Sequence, residues 1–196
     1  MEVPADTPAA DDDRSPADRP EIQRSKEAFI AHWGEMGSSW GVPRSMAEMH
    51  ALLFIEGRPL CTDEIMERLQ LSRGNLSTTL RQLAEWGIVT RVRQRGDRKD
   101  YFEAEQDVWT LLSLIVRARK RRELEPLLAA LDDARSIARS SEATTNREEA
   151  RRASEHLARL DAMHDALMRL DRLSDRFIGR GGKGLDVAVR LLASLL

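Results

Sequence analysis

Apolar residues recur every three or four positions along most of this sequence, which predicts a series of amphipathic helices. A first helix is expected from Pro20, because proline suits the first helical position. Its large apolar residues are Ile22, Phe29, Trp33, Met36 and Trp40. Between residues 88 and 105 the apolar period changes to two, which predicts a pair of β-strands. The expected fold class is therefore mainly α-helical with one small β-hairpin.

Two short helices joined by a tight turn are predicted between residues 62 and 86. Thr62 is placed to cap the first helix, and residues 70–72 form the turn. The second helix should span about residues 72–86, with Ser72 as its N-cap and Gly87 just beyond its end. Its narrow apolar face consists of Leu76, Leu80 and Leu83. This arrangement describes a helix-turn-helix.

The other faces of the second helix carry short hydrogen-bonding side chains and two arginines. These residues are Arg73, Asn75, Ser77, Thr78 and Arg81. A helix that enters a DNA major groove uses Arg or Asn to read base edges and Ser or Thr to contact phosphates. We therefore regard these five side chains as candidate DNA contacts. Taken alone, the helix is equally consistent with an ordinary amphipathic surface helix.

The hairpin predicted at about residues 88–105 has a basic tip. Ile88, Thr90 and Val92 alternate with Val89 and Arg91, and residues 95–99 form the turn. Placed directly after a recognition helix, such a hairpin is the wing of a winged helix-turn-helix. A tip carrying Arg98 and Lys99 can enter a minor groove or hold phosphates. The alternative is a solvated turn, which the preceding helices disfavour.

Charge is distributed unevenly along the chain. The formal net charge is only -2. Residues 72–99, however, contain seven basic and two acidic residues, a local charge of +5 that suits a phosphate backbone. Residues 1–20 are rich in Pro, Ala and Asp and have almost nothing to bury. We expect them to form a disordered acidic tail. An inert tail is favoured over one that competes with DNA for the basic surface.

The second half of the chain is expected to be helical. Asp107 can cap a long helix, which Pro126 should kink or end. A later helix carries a heptad-like apolar stripe that must pack on something. This stripe consists of Leu160, Met163, Leu167, Leu170 and Phe177. A flexible linker at residues 179–184 and an apolar closing helix at 185–196 complete the interpretation. The predicted organisation is thus a tail at 1–20, a winged helix-turn-helix domain at 21–106 and a helical dimerisation or effector region at 107–196.

The residue types argue against several other kinds of protein. Cys61 is the single cysteine, so no intramolecular disulfide can form, and a reducing compartment is expected. The sequence shows neither a membrane-spanning run nor a signal peptide, which indicates a cytoplasmic protein. The four histidines lack metal-ligand spacing, and no catalytic triad or nucleotide motif stands out. We therefore expect no metal, no cofactor and no enzymatic activity.

Four motifs in order resemble one family of regulators. They are residues 32–41 (HWGEMGSSWG), 62–69 (TDEIMERL), 72–75 (SRGN) and 96–102 (GDRKDYF). Over about residues 21–131 they are similar to the GbsR branch of the MarR-type winged-helix transcriptional regulators. The resemblance implies a homodimer that binds a double-stranded DNA operator, usually as a repressor. It also implies that terminal helices build the dimer, and a precedent in the family is the sensing of choline.

An effector site is the least specified part of this interpretation. Aromatic faces attract quaternary ammonium ions, so an aromatic cage is one hypothesis. Its candidate residues are Trp33, Trp40, Trp109, Phe29 and Tyr101. Aromatic residues at helical spacing are more often part of a core. If the cage exists, it should lie between the DNA-binding module and the dimer helices.

Two other functions compete with a dimeric, ligand-responsive regulator. A winged-helix domain with a helical arm can serve as a protein-interaction module, and a nonspecific DNA-binding protein would share the same basic surface. The charge of residues 72–99 favours DNA over a protein partner, because an interaction module has no need for arginines on both the helix and the wing.

Overall fold

The computed structural model describes residues 19–141, 146–179 and 181. The expected fold class is confirmed: helices dominate, and one small sheet follows the helix-turn-helix. In chain order the elements are α1 Pro20–Ser39, α2 Arg44–Glu56, β1 Leu60–Cys61, α3 Thr62–Leu69, α4 Arg73–Trp86, β2 Val89–Arg93, β3 Asp100–Ala104, α5 Val108–Arg119, α6 Glu125–Ser141 and α7 Arg147–Gly179. A π-helical turn, Lys120–Leu124, joins α5 to α6.

The sheet has three antiparallel strands rather than the two of the predicted hairpin. Its order is β1-β3-β2, so the central strand is β3. The predicted pair is present, with Val89 opposite Ala104 and Arg93 opposite Asp100. The additional strand β1 pairs through Leu60 with Phe102. This two-residue strand ties the segment before α3 to the wing.

The core of the winged module, residues 44–104, is formed by the inward faces of its helices and strands. The fully buried side chains include Met49, Leu52, Leu53, Leu60, Ile65 and Leu83. These residues come from α2, β1, α3 and α4, so one continuous core fixes the helix-turn-helix on the sheet. Leu111 of α5 joins the same cluster and connects the module to the helices that follow.

The start of α3 differs from the prediction by one residue. Thr62 is the first helical residue, and Cys61 is the N-cap. The carboxylate of Glu64 accepts a hydrogen bond of 2.8 Å from the backbone N–H of Cys61. Since a Glu at the third helical position can satisfy the N-cap amide, the helix starts without a Thr cap.

Helix α1 packs closely on α2 through two glycines. A Cβ at Gly37 would lie 2.5 Å from the Cβ of Ala47, and one at Gly34 would lie 2.6 Å from Cγ of Glu48. Both glycines are buried, whereas Ile22 and Trp40 of the predicted apolar face are exposed. The contact face of α1 is therefore set by the small residues as much as by the aromatic ones.

The first helix after the wing begins as predicted. The carboxylate of Asp107 accepts a hydrogen bond of 2.8 Å from the N–H of Thr110 and caps α5. The π-helical turn ends two residues before Pro126, whose missing N–H and bulky ring disturb the regular helical ladder. Helices α6 and α7, which we call the helical arm, then pack against each other.

Polar contacts fix the arm. The Nζ of Lys120 lies 3.0 Å from Asp171 and 2.5 Å from Asp175, and these carboxylates raise the pKa of the lysine, Asp175 most. Nε of Arg135 on α6 lies 2.6 Å from Asp161 on α7. In the part of the chain that the structure describes, no helix is long and apolar enough to cross a membrane. The predicted acidic tail, the linker after Gly179 and the closing helix fall almost wholly outside the described residues.

Candidate nucleic-acid interface

Helix α4 is held at both ends by the residues that the sequence indicated. The Ser72 hydroxyl accepts a 3.4 Å hydrogen bond from the N–H of Asn75, and Gly87 adopts the left-handed conformation, with φ +76°, just beyond the helix. The three leucines of its apolar face are buried. The five candidate DNA contacts are all exposed, namely Arg73, Asn75, Ser77, Thr78 and Arg81. The two capped ends of α4 and its buried leucines thus fix the helix so that its polar residues face solvent.

One residue that the sequence interpretation did not single out positions this face. Thr79 is buried, and its hydroxyl donates a 3.1 Å hydrogen bond to the side-chain oxygen of Asn75. This bond restrains the rotamer of Asn75 and leaves its NH₂ group directed elsewhere. A sequence signal existed, because residues four apart on a helix are neighbours.

A groove separates α4 from the strands of the wing. Arg73, Ser77 and Arg81 line it on the helix side, and Arg91 and Asp100 line it on the strand side. Arg91 and Asp100 are ion-paired across β2 and β3. The helix and the wing therefore form one continuous surface, but Arg91 already has an anionic partner.

The tip of the wing is fixed by Asp97. Its carboxylate accepts 2.9 Å and 2.7 Å hydrogen bonds, from the N–H of Lys99 and from the hydroxyl of Tyr101. These donors, the Lys99 amide first, hold the pKa of Asp97 below its ordinary value. The Nζ of Lys99 lies 3.0 Å from the carboxylate of Asp63 on α3, which raises the pKa of the lysine. Asp97 thus shapes the turn, and Lys99 bridges the wing to α3.

Five arginines of this surface are exposed and form no ion pair with any described residue. They are Arg73, Arg81, Arg93, Arg95 and Arg98. Arg93 and Arg95 were counted in the basic block but not among the candidate contacts. Unpaired guanidinium groups on a helix and an adjacent hairpin produce a positive field that a polyanion can neutralise.

The five aromatic residues proposed as an effector cage do not come together. Trp33 and Trp40 line a cavity at the junction of α1, α2, α4 and α5, where they meet Trp86. Phe29 packs on Trp33 with ring centroids 5.5 Å apart, while Tyr101 lies in the wing. Trp109 on α5 is not among the residues that line the cavity. The five candidates therefore do not form one cage, because Tyr101 lies in the wing and Trp109 lies outside the lining of the cavity. Trp86 was missed because it is the last residue of a helix whose exposed residues are mostly polar.

The described residues provide no grouping of three or more His, Cys, Asp or Glu side chains that would suit a metal ion. Cys61 is buried at the start of α3, where it contributes to packing.

These features define a class: a winged helix-turn-helix protein with a helical arm. The solved structure of a protein described as a transcriptional regulator has the same fold, with a TM-score of 0.61 and 20% identity. The match covers 81% of this chain and 99% of that one. Residues 40–100 match the model of the MarR family, and the chain therefore carries a MarR-family domain.

Two curated proteins of Bacillus subtilis (strain 168) are homologous to the chain. The HTH-type transcriptional repressor GbsR is 24% identical over 59% of this chain and 63% of its own length. The HTH-type transcriptional repressor OpcR is 26% identical over 47% of this chain and 51% of its own length. The chain thus spans about half to three fifths of the relatives that it matches. The expected similarity to the GbsR group of MarR-type regulators is confirmed at the level of homology.

Proposed function

We propose that the protein is a sequence-specific DNA-binding transcriptional regulator that acts as a repressor. The observation that carries this proposal is the continuous surface of α4 and the wing, with five exposed, unpaired arginines. α4 enters a major groove, where Asn75 and the two helix arginines read base edges, and Ser77 and Thr78 contact phosphates. Arg98 and Lys99 reach the adjacent minor groove. Repression is inferred from the relatives, two of which are named as repressors.

The regulator works as a homodimer. The arm exposes large apolar side chains that a single chain leaves in water, among them Ile137 at 69% and Leu173 at 63% exposure. Met163 and Leu170 add to this surface on α7. A second copy is the occupant that we infer, because it would cover these residues and place two recognition helices on one operator. In this proposal residues 21–106 form the DNA-binding domain, and 107–196 form the dimerisation and effector region.

Operator binding is modulated by a small molecule. The aromatic cavity at the junction of α1, α2, α4 and α5 supports this part of the proposal, because its wall includes both the end of α4 and the start of the dimerisation region. A ligand that favours one arrangement of these helices changes the population that can bind DNA. The similarity to GbsR-type regulators makes choline or a related quaternary amine one candidate effector.

The test is fluorescence anisotropy with labelled DNA taken from upstream of the protein's own gene, compared with a scrambled duplex across a salt series. We expect a preference of about a thousandfold or more for the operator, with an affinity that falls as salt rises. Equal, weak, salt-dependent binding to both duplexes would instead identify a nonspecific DNA-binding protein. Absence of binding at low salt would contradict the DNA assignment and favour a protein-interaction module. Sedimentation analysis of the same sample tests the dimer.

A further inference from the structure

Helix α4 carries one polar residue on its buried face. Thr79 is 3% exposed and shares that face with Leu76, Leu80 and Leu83. A buried hydroxyl without a hydrogen-bond partner destabilises a fold, so such groups are nearly always paired. Here the hydroxyl donates a 3.1 Å hydrogen bond to Oδ1 of Asn75, one helical turn earlier. The bond therefore connects the core of the module to a residue on its exposed surface.

Asn75 differs from the other candidate DNA contacts because its side chain is fixed before DNA arrives. Its backbone N–H donates to the Ser72 hydroxyl at 3.4 Å, and its side-chain oxygen accepts the bond from Thr79. Four candidate contacts form no side-chain hydrogen bond with any described residue, namely Arg73, Ser77, Thr78 and Arg81. A side chain that is already ordered loses less conformational entropy on binding. Asn75 is thus the most preorganised member of the set.

The bond also decides which half of the Asn75 amide faces outward. An asparagine side chain has one acceptor oxygen and one NH₂ group with two donors. Since the oxygen is directed to a buried hydroxyl, the NH₂ group is directed away from the core, and it forms no hydrogen bond with any described residue. Asn75 is exposed, and a Cβ at the neighbouring Gly74 would meet nothing within 4 Å. This end of α4 therefore offers N–H donors to a surface that can approach closely.

Base edges in the major groove distinguish an amide that only donates from one that donates and accepts. Adenine presents N7 as an acceptor and its N6 amino group as a donor, and asparagine pairs with it through both halves of the amide. Guanine presents two acceptors, N7 and O6. An amide whose oxygen is engaged by the protein suits guanine better, because its N–H groups meet acceptors there and no amino group is left without a partner.

We propose that Thr79 is a positioning residue that makes Asn75 a donor-only contact, and that Asn75 therefore selects guanine over adenine in the operator. This inference rests on the proposed function, because it concerns the base that a DNA-binding α4 reads. Thr79 itself is buried and acts only through Asn75. The base preferences of Arg73 and Arg81 do not pass through this bond, so a change at Thr79 should alter one base position and leave the others as they are.

The test measures base preference at single positions of the operator. The wild-type chain and Asn75→Ala are titrated by fluorescence anisotropy against the duplex from upstream of the protein's own gene and against its single-base-pair variants. The position at which Asn75→Ala loses its preference is the one that Asn75 reads. We expect a G·C pair there, favoured over A·T by about tenfold. A preference for A·T, or the absence of any position that depends on Asn75, would overturn the proposal.

A modified base shows which strand of that pair is read. Guanine is replaced by 7-deazaguanine, which lacks the N7 acceptor. The replacement should weaken binding of the wild-type chain by about threefold or more, the value of a hydrogen bond of ordinary strength, and should leave Asn75→Ala unaffected. Equal binding of the two duplexes by the wild-type chain would indicate that Asn75 accepts from the amino group of cytosine, and would overturn the donor-only assignment.

Variants of Thr79 test the positioning role. Thr79→Val keeps the branched shape, removes the hydroxyl and should reduce the G·C preference at this position to within about twofold, with other positions unchanged. Thr79→Ser keeps the hydroxyl and should retain the preference. The matched control is Thr78→Val, which removes the neighbouring exposed hydroxyl and should weaken all duplexes alike. If Thr79→Val does not fold, as judged by circular dichroism, Thr79→Ala replaces it. A full G·C preference without the Thr79 hydroxyl would overturn the role of Thr79.

A measurement without DNA separates this inference from the proposed function. Asn75 and Asn146 are the two asparagines of the chain, so ¹⁵N-asparagine labelling gives two side-chain amides, and Asn75→Ala assigns them. The order parameter of the Asn75 amide should lie near the rigid value of about 0.85 in the wild type and below about 0.6 in Thr79→Val. Equal mobility in both proteins would overturn the positioning role even if the operator is bound specifically. If no duplex is bound specifically, the proposed function fails and the base assignment fails with it, while the order parameters still decide whether Thr79 fixes Asn75.

Discussion

The basic surface of the winged module and the helices that follow the wing differ in the balance of their charges. Residues 107–179 contain 14 basic and 13 acidic residues, so charge there nearly cancels. The most enclosed cations of this region, Lys120 and Arg135, each contact two carboxylates. Exposed arginines without an ion pair to a described residue occur in both regions, but on α4 and the wing, residues 72–99, seven basic residues face only two acidic ones. Paired charge fixes helices in place, whereas unpaired charge of one sign is available to a partner outside the chain.

The largest effect should come from removing unpaired charge on the recognition helix. The double variant Arg73→Ala/Arg81→Ala should lose operator affinity by about a hundredfold or more, because each base contact is worth about 1–3 kcal/mol. The slope of log K against log salt should fall by about two, and the melting temperature should stay unchanged. Anisotropy titrations measure the affinity and its salt slope, and a thermal melt checks the fold.

The matched control for this double variant is Arg24→Ala/Arg172→Ala. Both arginines are exposed and without an ion pair to a described residue, but they lie on α1 and α7. Operator affinity should remain within about twofold of the wild type. Equal losses in the two double variants would show that net charge, rather than position on α4, governs binding.

His50 extends the comparison to an ionisable group that is buried and neutral. Burial lowers its pKa from an ordinary value of 6.5 to about 4, so the unfolded chain takes up this proton first as pH falls. The stability that His50 contributes is fully present above pH 6.5 and is lost progressively as the pH falls to about 4, a change of about 3 kcal/mol. Urea unfolding of the wild type and of His50→Phe between pH 7 and 4 measures it.

In His50→Phe this component of the pH dependence should disappear, because phenylalanine does not titrate. The remaining pH dependence then comes from the carboxylates, which serve as an internal reference. Parallel stability curves for the two proteins over this range would contradict a buried, neutral imidazole.

The ion pairs that Lys120 forms with α7 should stabilise the fold without contributing directly to DNA affinity. Lys120→Met leaves two carboxylates without their cation and should cost about 2 kcal/mol in the free energy of unfolding. Arg121→Met is the control, because Arg121 is next to Lys120 in the chain, is exposed and has no ion pair with a described residue. Denaturant unfolding should separate the two variants, while operator affinity stays within about twofold for both. A Lys120→Met protein as stable as the Arg121→Met control would show that these ion pairs do not stabilise the fold.

The parts of this structure that the sequence predicted are those set by local signals. Ser72, Gly87 and the leucine spacing define α4 within one short segment, and the alternation after it defines the wing. Strand β1 was not predicted, because two residues carry no periodicity and Leu60 pairs with Phe102 far along the chain. The ion pair between Lys99 and Asp63 was also missed, because these two residues are far apart in the sequence.

The aromatic cavity likewise could not be predicted from the sequence, because it depends on contacts between separate helices. Its aromatic wall combines Trp33 of α1 and Trp40 just after α1 with Trp86 of α4, and its polar group comes from α2. Sequence patterns indicated that aromatic residues could gather but not which faces meet. The candidate DNA contacts were easier to identify, because an exposed face of one helix needs no tertiary contact to be recognised.

The wing offers a smaller contrast between paired and unpaired charge. Arg98 forms no ion pair with a described residue, whereas Lys99 lies 3.0 Å from Asp63. Arg98→Ala should therefore weaken binding to operator and scrambled DNA alike, by about three- to tenfold, and reduce the salt slope by about one. Lys99→Ala should have less effect, and Asp63→Asn should strengthen binding by releasing the lysine. Anisotropy across a salt series compares all three, and a larger loss for Lys99→Ala would show that DNA displaces Asp63.

The smallest expected effect on stability is at Gly74, near the start of α4, where stability and DNA affinity should change in opposite directions. A Cβ there would meet nothing within 4 Å, in contrast to Gly37, where it would collide with Ala47. Gly74→Ala should thus raise the free energy of unfolding by about 0.5–1 kcal/mol, because alanine suits a helix better than glycine. If this face approaches DNA closely, the added methyl group should nevertheless weaken operator binding. Gly37→Ala provides the opposite pattern, with a destabilised fold and no direct effect on DNA. A Gly74→Ala protein that is more stable and binds the operator as well as the wild type would show that the space beside Gly74 stays open in the complex, and that recognition depends on the arginines alone.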